Sequence, residues 1–157
     1  MNLKLITASL TMLFILSGCA AGAVNSTGPS TATPSENATA APTDRVPRIG
    51  IEDLLAKMNS GSDFLLVDAR RDVAEQFKIA HIKGAVAVPP DTITEGKWTP
   101  PADLNREIIF YCSCPNDKTS AGAALLLIKK GYTNVKALKG GWNAWQAAGY
   151  PVQSGAD

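Results

Sequence analysis

Short apolar runs alternate with segments of helical period along this chain, and that alternation limits the fold more than any other feature. Phe64-Leu65-Leu66-Val67, Ala85-Val86-Ala87-Val88, Ile108-Ile109-Phe110-Tyr111 and Val135-Lys136-Ala137-Leu138 have strand length, and the first and third are continuous enough to be buried on both faces. Ile51, Leu54, Leu55 and Met58 recur at i, i+3, i+4 and i+7, the stripe of a helix that stops at Asn59-Ser60-Gly61. Ala121, Ala124, Leu125 and Ile128 mark one side of a helix ending at Gly131, and Trp142 to Ala148 forms a last helix closed by Gly149. Asp72 to Phe77 has room for a short helix. Asp91 to Asn105, with Pro89-Pro90 at its door and Pro100-Pro101 inside, reads mostly as loop. Strand and helix in alternation predict an α/β fold, a central parallel sheet with helices on both faces.

The amino-terminal third is of another kind. Lys4 gives a small positive start, and Leu5 to Leu16 is apolar apart from Thr7, Ser9 and Thr11. That is the length of a signal core and too short to span a bilayer. It ends in Leu16-Ser17-Gly18-Cys19, which matches the bacterial lipoprotein signal at all four positions. The match implies residues 1–18 as a signal peptide and lipid on Cys19, hence a cell-envelope protein anchored to a membrane on its periplasmic face. Ala20 is not the aspartate that retains lipoproteins at the inner membrane, so an outer membrane is favoured if the host has two. Residues 19–46 are Ala-, Thr-, Ser- and Pro-rich and bury too little surface to offset ordering entropy, which predicts a flexible tether of roughly 30 Å. Residues 47–157 then form one domain by length. With 15 basic and 14 acidic residues the chain carries +1, so no basic excess points to nucleic acid.

Chemistry concentrates where the third run ends. Tyr111 is followed by Cys112-Ser113-Cys114-Pro115-Asn116-Asp117-Lys118 and a helix starting near Thr119. A thiol at the carboxyl end of a strand then faces the amino end of a helix, whose free N–H groups and dipole favour an anion. That setting favours a thiolate, the reactive form of cysteine. Two cysteines and the lone His81 supply too few ligands for a metal site. No cofactor is required.

Two groups of residues resemble the single-domain rhodaneses, a family of sulfurtransferases. One is Val67-Asp68-Ala69-Arg70 with Glu75, Phe77 and His81-Ile82-Lys83-Gly84-Ala85. The other is Tyr111-Cys112, Ser120-Ala121, Gly131-Tyr132 and Leu138-Lys139-Gly140-Gly141-Trp142-Asn143-Ala144-Trp145. The resemblance covers about Arg48 to Val152 and implies a rhodanese-like fold. It implies an activity as well, in which a cysteine thiolate takes sulfane sulfur from a donor such as thiosulfate and passes it to a thiol or cyanide. Active rhodaneses open a six-residue loop, often carrying glycine and arginine, with the cysteine. Here the strand register selects Cys112 and the loop register selects Cys114; we place the nucleophile at Cys112, with Cys114 as second choice or resolving thiol. Ser113, Asn116, Asp117, Lys118, Thr119 and Ser120 line the expected cradle. Lys118 is its single cation, partly cancelled by Asp117, and Thr119 or Ser120 caps the helix. Arg70 either reaches the substrate or pairs with Glu75. Two other readings stay open: a catalytically silent module that binds an envelope protein, and a Cys-x-Cys thiol–disulfide reductant.

Overall fold

Each apolar run becomes a strand because packed helices cover it. The computed structural model describes residues 41–155, so the signal, Cys19 and most of the tether lie outside the described residues. In chain order come β1 (Arg48–Ile49), α1 (Ile51–Asn59), β2 (Leu65–Asp68), α2 (Val73–Ile79), β3 (His81–Ile82) and β4 (Ala85–Ala87). They are followed by α3 (Pro90–Thr94), β5 (Ile108–Tyr111), α4 (Lys118–Lys129), β6 (Val135–Leu138), α5 (Gly141–Ala147) and β7 (Val152–Gln153). Five strands form a parallel sheet in the order β1-β6-β5-β2-β4, and β3 pairs with β7 as a separate antiparallel ribbon.

The strand period of two divides β5 between two cores. Ile108 and Phe110 join Val67, Val135 and Leu127 beneath α3 and α4. Ile109 and Tyr111 join Leu54, Leu66, Phe77 and Trp145 beneath α1, α2 and α5. All four β5 side chains are fully buried, each contributing about 1.5–3 kcal/mol of transfer free energy. In the register of β2 and β5, Asp68 lies beside Tyr111, and the Ala69 amide bonds the Tyr111 carbonyl at 2.9 Å. Ala69 and Cys112 therefore leave the sheet side by side at its carboxyl edge, where open α/β sheets place their ligands.

Two expectations are corrected and a third gains detail. Residues before 47 pack with the domain: Pro42–Arg45 form a 3-10 turn, and Val46, assigned to the tether, sits in the core. The segment read mostly as loop is so apart from the short helix α3 at its start, where Pro90 stands in the first turn and its missing N–H costs nothing. The start of α4 is not capped by Thr119 or Ser120; its N-cap is Asp117, in the left-handed region at φ 55° and without a side-chain cap bond.

Candidate active site

The loop from Cys112 to Ser120 is shaped by two consecutive left-handed residues, Asn116 at φ 57° and Asp117 at φ 55°. Few residue types tolerate that region, and Asn and Asp are among them. They take the place of the glycine that the resemblance leads one to expect. The reversal brings the amide of Thr119 to 3.2 Å from the Cys114 sulfur, so a backbone N–H at the start of α4 donates to a thiol. Ser120 Oγ donates to the Asp117 carbonyl at 3.0 Å, and Cys112 Sγ lies 3.5 Å from that same hydroxyl. Asn143 of α5 holds the turn from outside, its Nδ2 donating to the Ser113 carbonyl at 3.1 Å.

The two thiols have opposite environments. Cys112 is 2% exposed, and burial pushes its thiol above the usual range. Cys114 is half-buried. Burial also pushes its thiol up, but hydrogen bonds from Cys112 and from Thr119 outweigh this and bring it below the usual range.

Cys112 is clamped through its backbone. Its carbonyl accepts the Trp142 amide at 2.9 Å. This contact needs Gly141, because a Cβ there would lie 2.0 Å from the Cys112 oxygen and the residue is at φ 51°. Gly140, at φ 76°, makes the turn that delivers the start of α5 to the end of β5.

Arg70 is brought to this edge but not to the substrate. Its guanidinium binds the Asp68 carboxylate at 2.6–3.0 Å and the Ala80 carbonyl at 2.8 Å, and lies 4.4 Å from the Trp142 ring centre. At 2% exposure its guanidinium is committed mainly to these partners. The expected pairing with Glu75 does not form; Glu75 meets Lys78 at 3.5 Å instead. Tyr111 completes the network by donating to Asp68 at 2.8 Å and accepting the Ile82 amide at 3.2 Å; burial and the Asp68 charge push its phenol up.

Asp117 turns inward, buried, with a carboxylate oxygen 3.9 Å from Arg48 Nε on β1. Its charge is thus shared with Arg48 rather than spent on Lys118, which stays exposed at the loop surface. Arg48 was missed in the sequence because it joins the loop only through the pairing of β1 with β6 at the sheet edge. A cavity of about 360 Å³ opens beside the loop, lined by Thr119 together with Arg71, Asp72, Pro89, Pro90 and Asp91. It too was not legible, since α2, α3 and α4 meet there only in the fold. Among the described residues, no group of three or more His, Cys, Asp or Glu side chains stands ready for a metal.

Residues 51–148 match the family described as "Rhodanese-like domain". The chain is 30% identical over 90 residues to the thiosulfate sulfurtransferase GlpE of Actinobacillus succinogenes, covering 57% of this chain and 76% of that protein. It is 31% identical over 88 residues to the probable adenylyltransferase/sulfurtransferase MoeZ of Mycobacterium tuberculosis, covering 56% of this chain. The matched region is 21% of that longer relative. The solution structure of the rhodanese-like domain of Anabaena Alr3790 superposes with a TM-score of 0.58 at 28% identity, covering 71% of this chain and 87% of that one. These relatives support a function of the sulfurtransferase type. On the extent of the family match and the sheet beneath it, the chain belongs to the rhodanese-like domain family.

Proposed function

We propose that the protein is a sulfurtransferase in which Cys114 carries sulfane sulfur as a persulfide. The observation that supports this is the Thr119 amide 3.2 Å from the Cys114 sulfur, at the start of a helix of 12 residues. An N–H aimed at sulfur favours the thiolate and afterwards holds the negative persulfide. Cys112 satisfies the strand register, yet its buried, proton-retaining thiol is the poorer nucleophile.

In the first half-reaction the Cys114 thiolate attacks the outer sulfur of a donor such as thiosulfate. The donor S–S bond breaks and sulfite leaves with the electron pair. In the second, cyanide or a thiolate attacks the outer persulfide sulfur, and the pair returns to Cys114. The exposed ammonium of Lys118 suits the approach of an anionic donor, and the cavity beside Thr119 has room for a small acceptor. We further propose that lipid on Cys19 tethers this domain to a cell-envelope membrane, from which an envelope protein could receive sulfur.

Intact mass after incubation with thiosulfate tests the assignment. The wild type and Cys112→Ser gain one sulfur; Cys114→Ser gains none, and its turnover falls by about a thousandfold or more. A gain that survives Cys114→Ser and disappears in Cys112→Ser returns the role to Cys112. No gain with any donor leaves a silent binding module. For the tether, metabolic labelling with palmitate marks the wild type and not Cys19→Ala.

A further inference from the structure

We infer that the cavity beside the reactive loop is an acceptor subsite, and that the thiol it takes carries both an ammonium and a carboxylate, as an α-amino-acid thiol does. This deepens the reading of Cys114 as the persulfide carrier and rests on it.

The cavity opens at the carboxyl edge of the sheet, where the loop after β2 meets the first turns of α2, α3 and α4. At about 360 Å³ it has the volume of a small-molecule pocket and ample room for an amino acid. Thr119 ties it to the chemistry. The same residue lines the cavity and aims its amide at the Cys114 sulfur from 3.2 Å, so the wall of the cavity and the cradle of the sulfur share one residue.

The charges on the wall select what enters. Arg71 supplies a guanidinium, and Asp72 and Asp91 supply carboxylates. All three residues are exposed, and among the described residues none of their side chains is engaged in a hydrogen bond or an ion pair. Arg71 bonds Gln76 and Asp91 bonds Thr94 through backbone carbonyls, and Asp72 stands at the N-cap of α2 without a side-chain cap bond. Just upstream the contrast is complete, for Asp68 and Arg70 spend their charges on each other. One cation and two anions leave the wall at a net −1. A doubly negative donor such as thiosulfate is repelled there, whereas the exposed Lys118 offers it a positive approach. An α-amino-acid thiol answers every charge: its carboxylate fits the planar Arg71 fork, and its ammonium fits Asp72 or Asp91. A thiol with a carboxylate alone meets two like charges, so the wall discriminates by repulsion as well as by attraction.

The acceptor reacts as its thiolate, having released its proton to water. It attacks the outer sulfur of the Cys114 persulfide and forms a new S–S bond. The bond from that sulfur to Cys114 Sγ breaks, and its electron pair stays on Cys114 as the thiolate. The product is the persulfide of the amino-acid thiol.

The experiment loads Cys114 with sulfur from thiosulfate, removes the donor and follows loss of the added sulfur by intact mass as acceptor concentration rises. The acceptors are L-cysteine, cysteamine, 3-mercaptopropionate and 2-mercaptoethanol. Each is compared with itself between wild type and variant, so differences in thiol acidity cancel. In Arg71→Gln the half-saturating concentration of L-cysteine rises about two- to fivefold and that of cysteamine does not rise. In the double variant Asp72→Asn, Asp91→Asn, L-cysteine and cysteamine both rise about three- to tenfold, while 3-mercaptopropionate improves because the repulsion is gone. Asn keeps the left-handed turn that residue 72 makes at φ 56°. Urea midpoints, and the pH midpoint of Cys114 alkylation by iodoacetamide with the modified peptide assigned by mass, are taken for each variant. A loosened fold or an altered sulfur is then not read as an altered subsite. The inference is overturned if the four acceptors respond alike to these substitutions, or if none responds. L-serine, which carries a hydroxyl in place of the thiol and cannot take sulfur, separates the two readings. Its binding shifts the amide resonances of Arg71, Asp72 and Thr119 in the wild type and loses strength in the variants. A protein inert to thiosulfate that shows these shifts keeps the subsite and loses the transfer reaction; absence of the shifts overturns the subsite. A protein that loads sulfur and passes it on without regard to acceptor charge keeps the transfer reaction and loses the subsite.

Discussion

The loops that leave β2 and β5 start side by side, at Asp68 and Tyr111, yet they are built on opposite terms. After β2 the buried charges are consumed, while Arg71 and Asp72 stay exposed at the cavity. Asp68 receives the Arg70 guanidinium, the Arg70 amide at 3.0 Å and the Tyr111 hydroxyl, while Arg70 also satisfies Ala80 and lies against Trp142. After β5 the chain is nearly neutral, bends through two left-handed residues and aims its donors at sulfur. The buried charges after β2 are scaffold and the neutral loop is the reactive one. Net charge at a sheet edge is therefore a poor guide to chemistry; what distinguishes a site is a hydrogen-bonding group still able to act on something that is not protein.

The strongest break of this comparison falls on Arg70. Arg70→Met removes the cation and leaves the Asp68 carboxylate buried without it, at a cost of about 3–5 kcal/mol in urea unfolding. Adding Asp68→Asn recovers part of that loss, since the uncompensated charge is gone. In whatever fraction stays folded, the Cys114 alkylation midpoint does not move. A stable Arg70→Met protein with impaired sulfur uptake would reverse the roles of the two loops.

Gly141 joins the two regions and gives the next largest effect. Its neighbour Trp142 lies over Arg70 with its ring and holds Cys112 with its N–H. In Gly141→Ala the new methyl meets the Cys112 oxygen, so the start of α5 must retreat, and stability falls by about 2–3 kcal/mol. Unlike Arg70→Met, this variant also disturbs the reactive loop: the backbone of Cys112 is displaced and the Cys114 alkylation profile shifts. Thermal melts paired with alkylation profiles separate the two variants by kind as well as by size.

The same contrast explains what the sequence revealed. Strands β2 and β5 were legible because burial on both faces writes a continuous apolar run, and β4 and β6 because their short runs have strand length between turn signals. β1, β3 and β7 are pairs of residues whose only mark of being strands is a partner elsewhere in the chain. The Asp68–Arg70 pair was hidden for a similar reason. The sequence reading offered Glu75 as the partner of Arg70, whereas the real partner lies two residues back along extended chain, where backbone and guanidinium converge on one carboxylate. Gly140-Gly141 was read correctly as a turn, but its reason, the approach to Cys112, needed the fold. Around the loop, a Ser/Thr cap was the sound local expectation. It fails because the Thr119 amide is turned to sulfur and the Ser120 hydroxyl donates to a carbonyl. The disagreement between the two cysteine registers had the same source, since no local pattern says which of two nearby thiols an amide will meet.

The smallest effect belongs to Lys118, and it sharpens the comparison from the reactive side. Asp117 beside it in sequence is buried against Arg48, so the Lys118 ammonium faces solvent with little local cancellation. An exposed single charge adds almost nothing to stability, and Lys118→Ala should leave the urea midpoint within about 0.5 kcal/mol of wild type. Its field can still raise the local concentration of a doubly negative donor. Steady-state kinetics at low salt should show the KM for thiosulfate rising about two- to fourfold with kcat unchanged, and the difference should fade above roughly 0.3 M salt as screening shortens the field. The neutral acceptor half-reaction should not respond. An equal change for charged and uncharged donors would mean that the side chain shapes the loop instead of steering the ligand, and the reactive loop would then depend on its charges as the scaffold loop does.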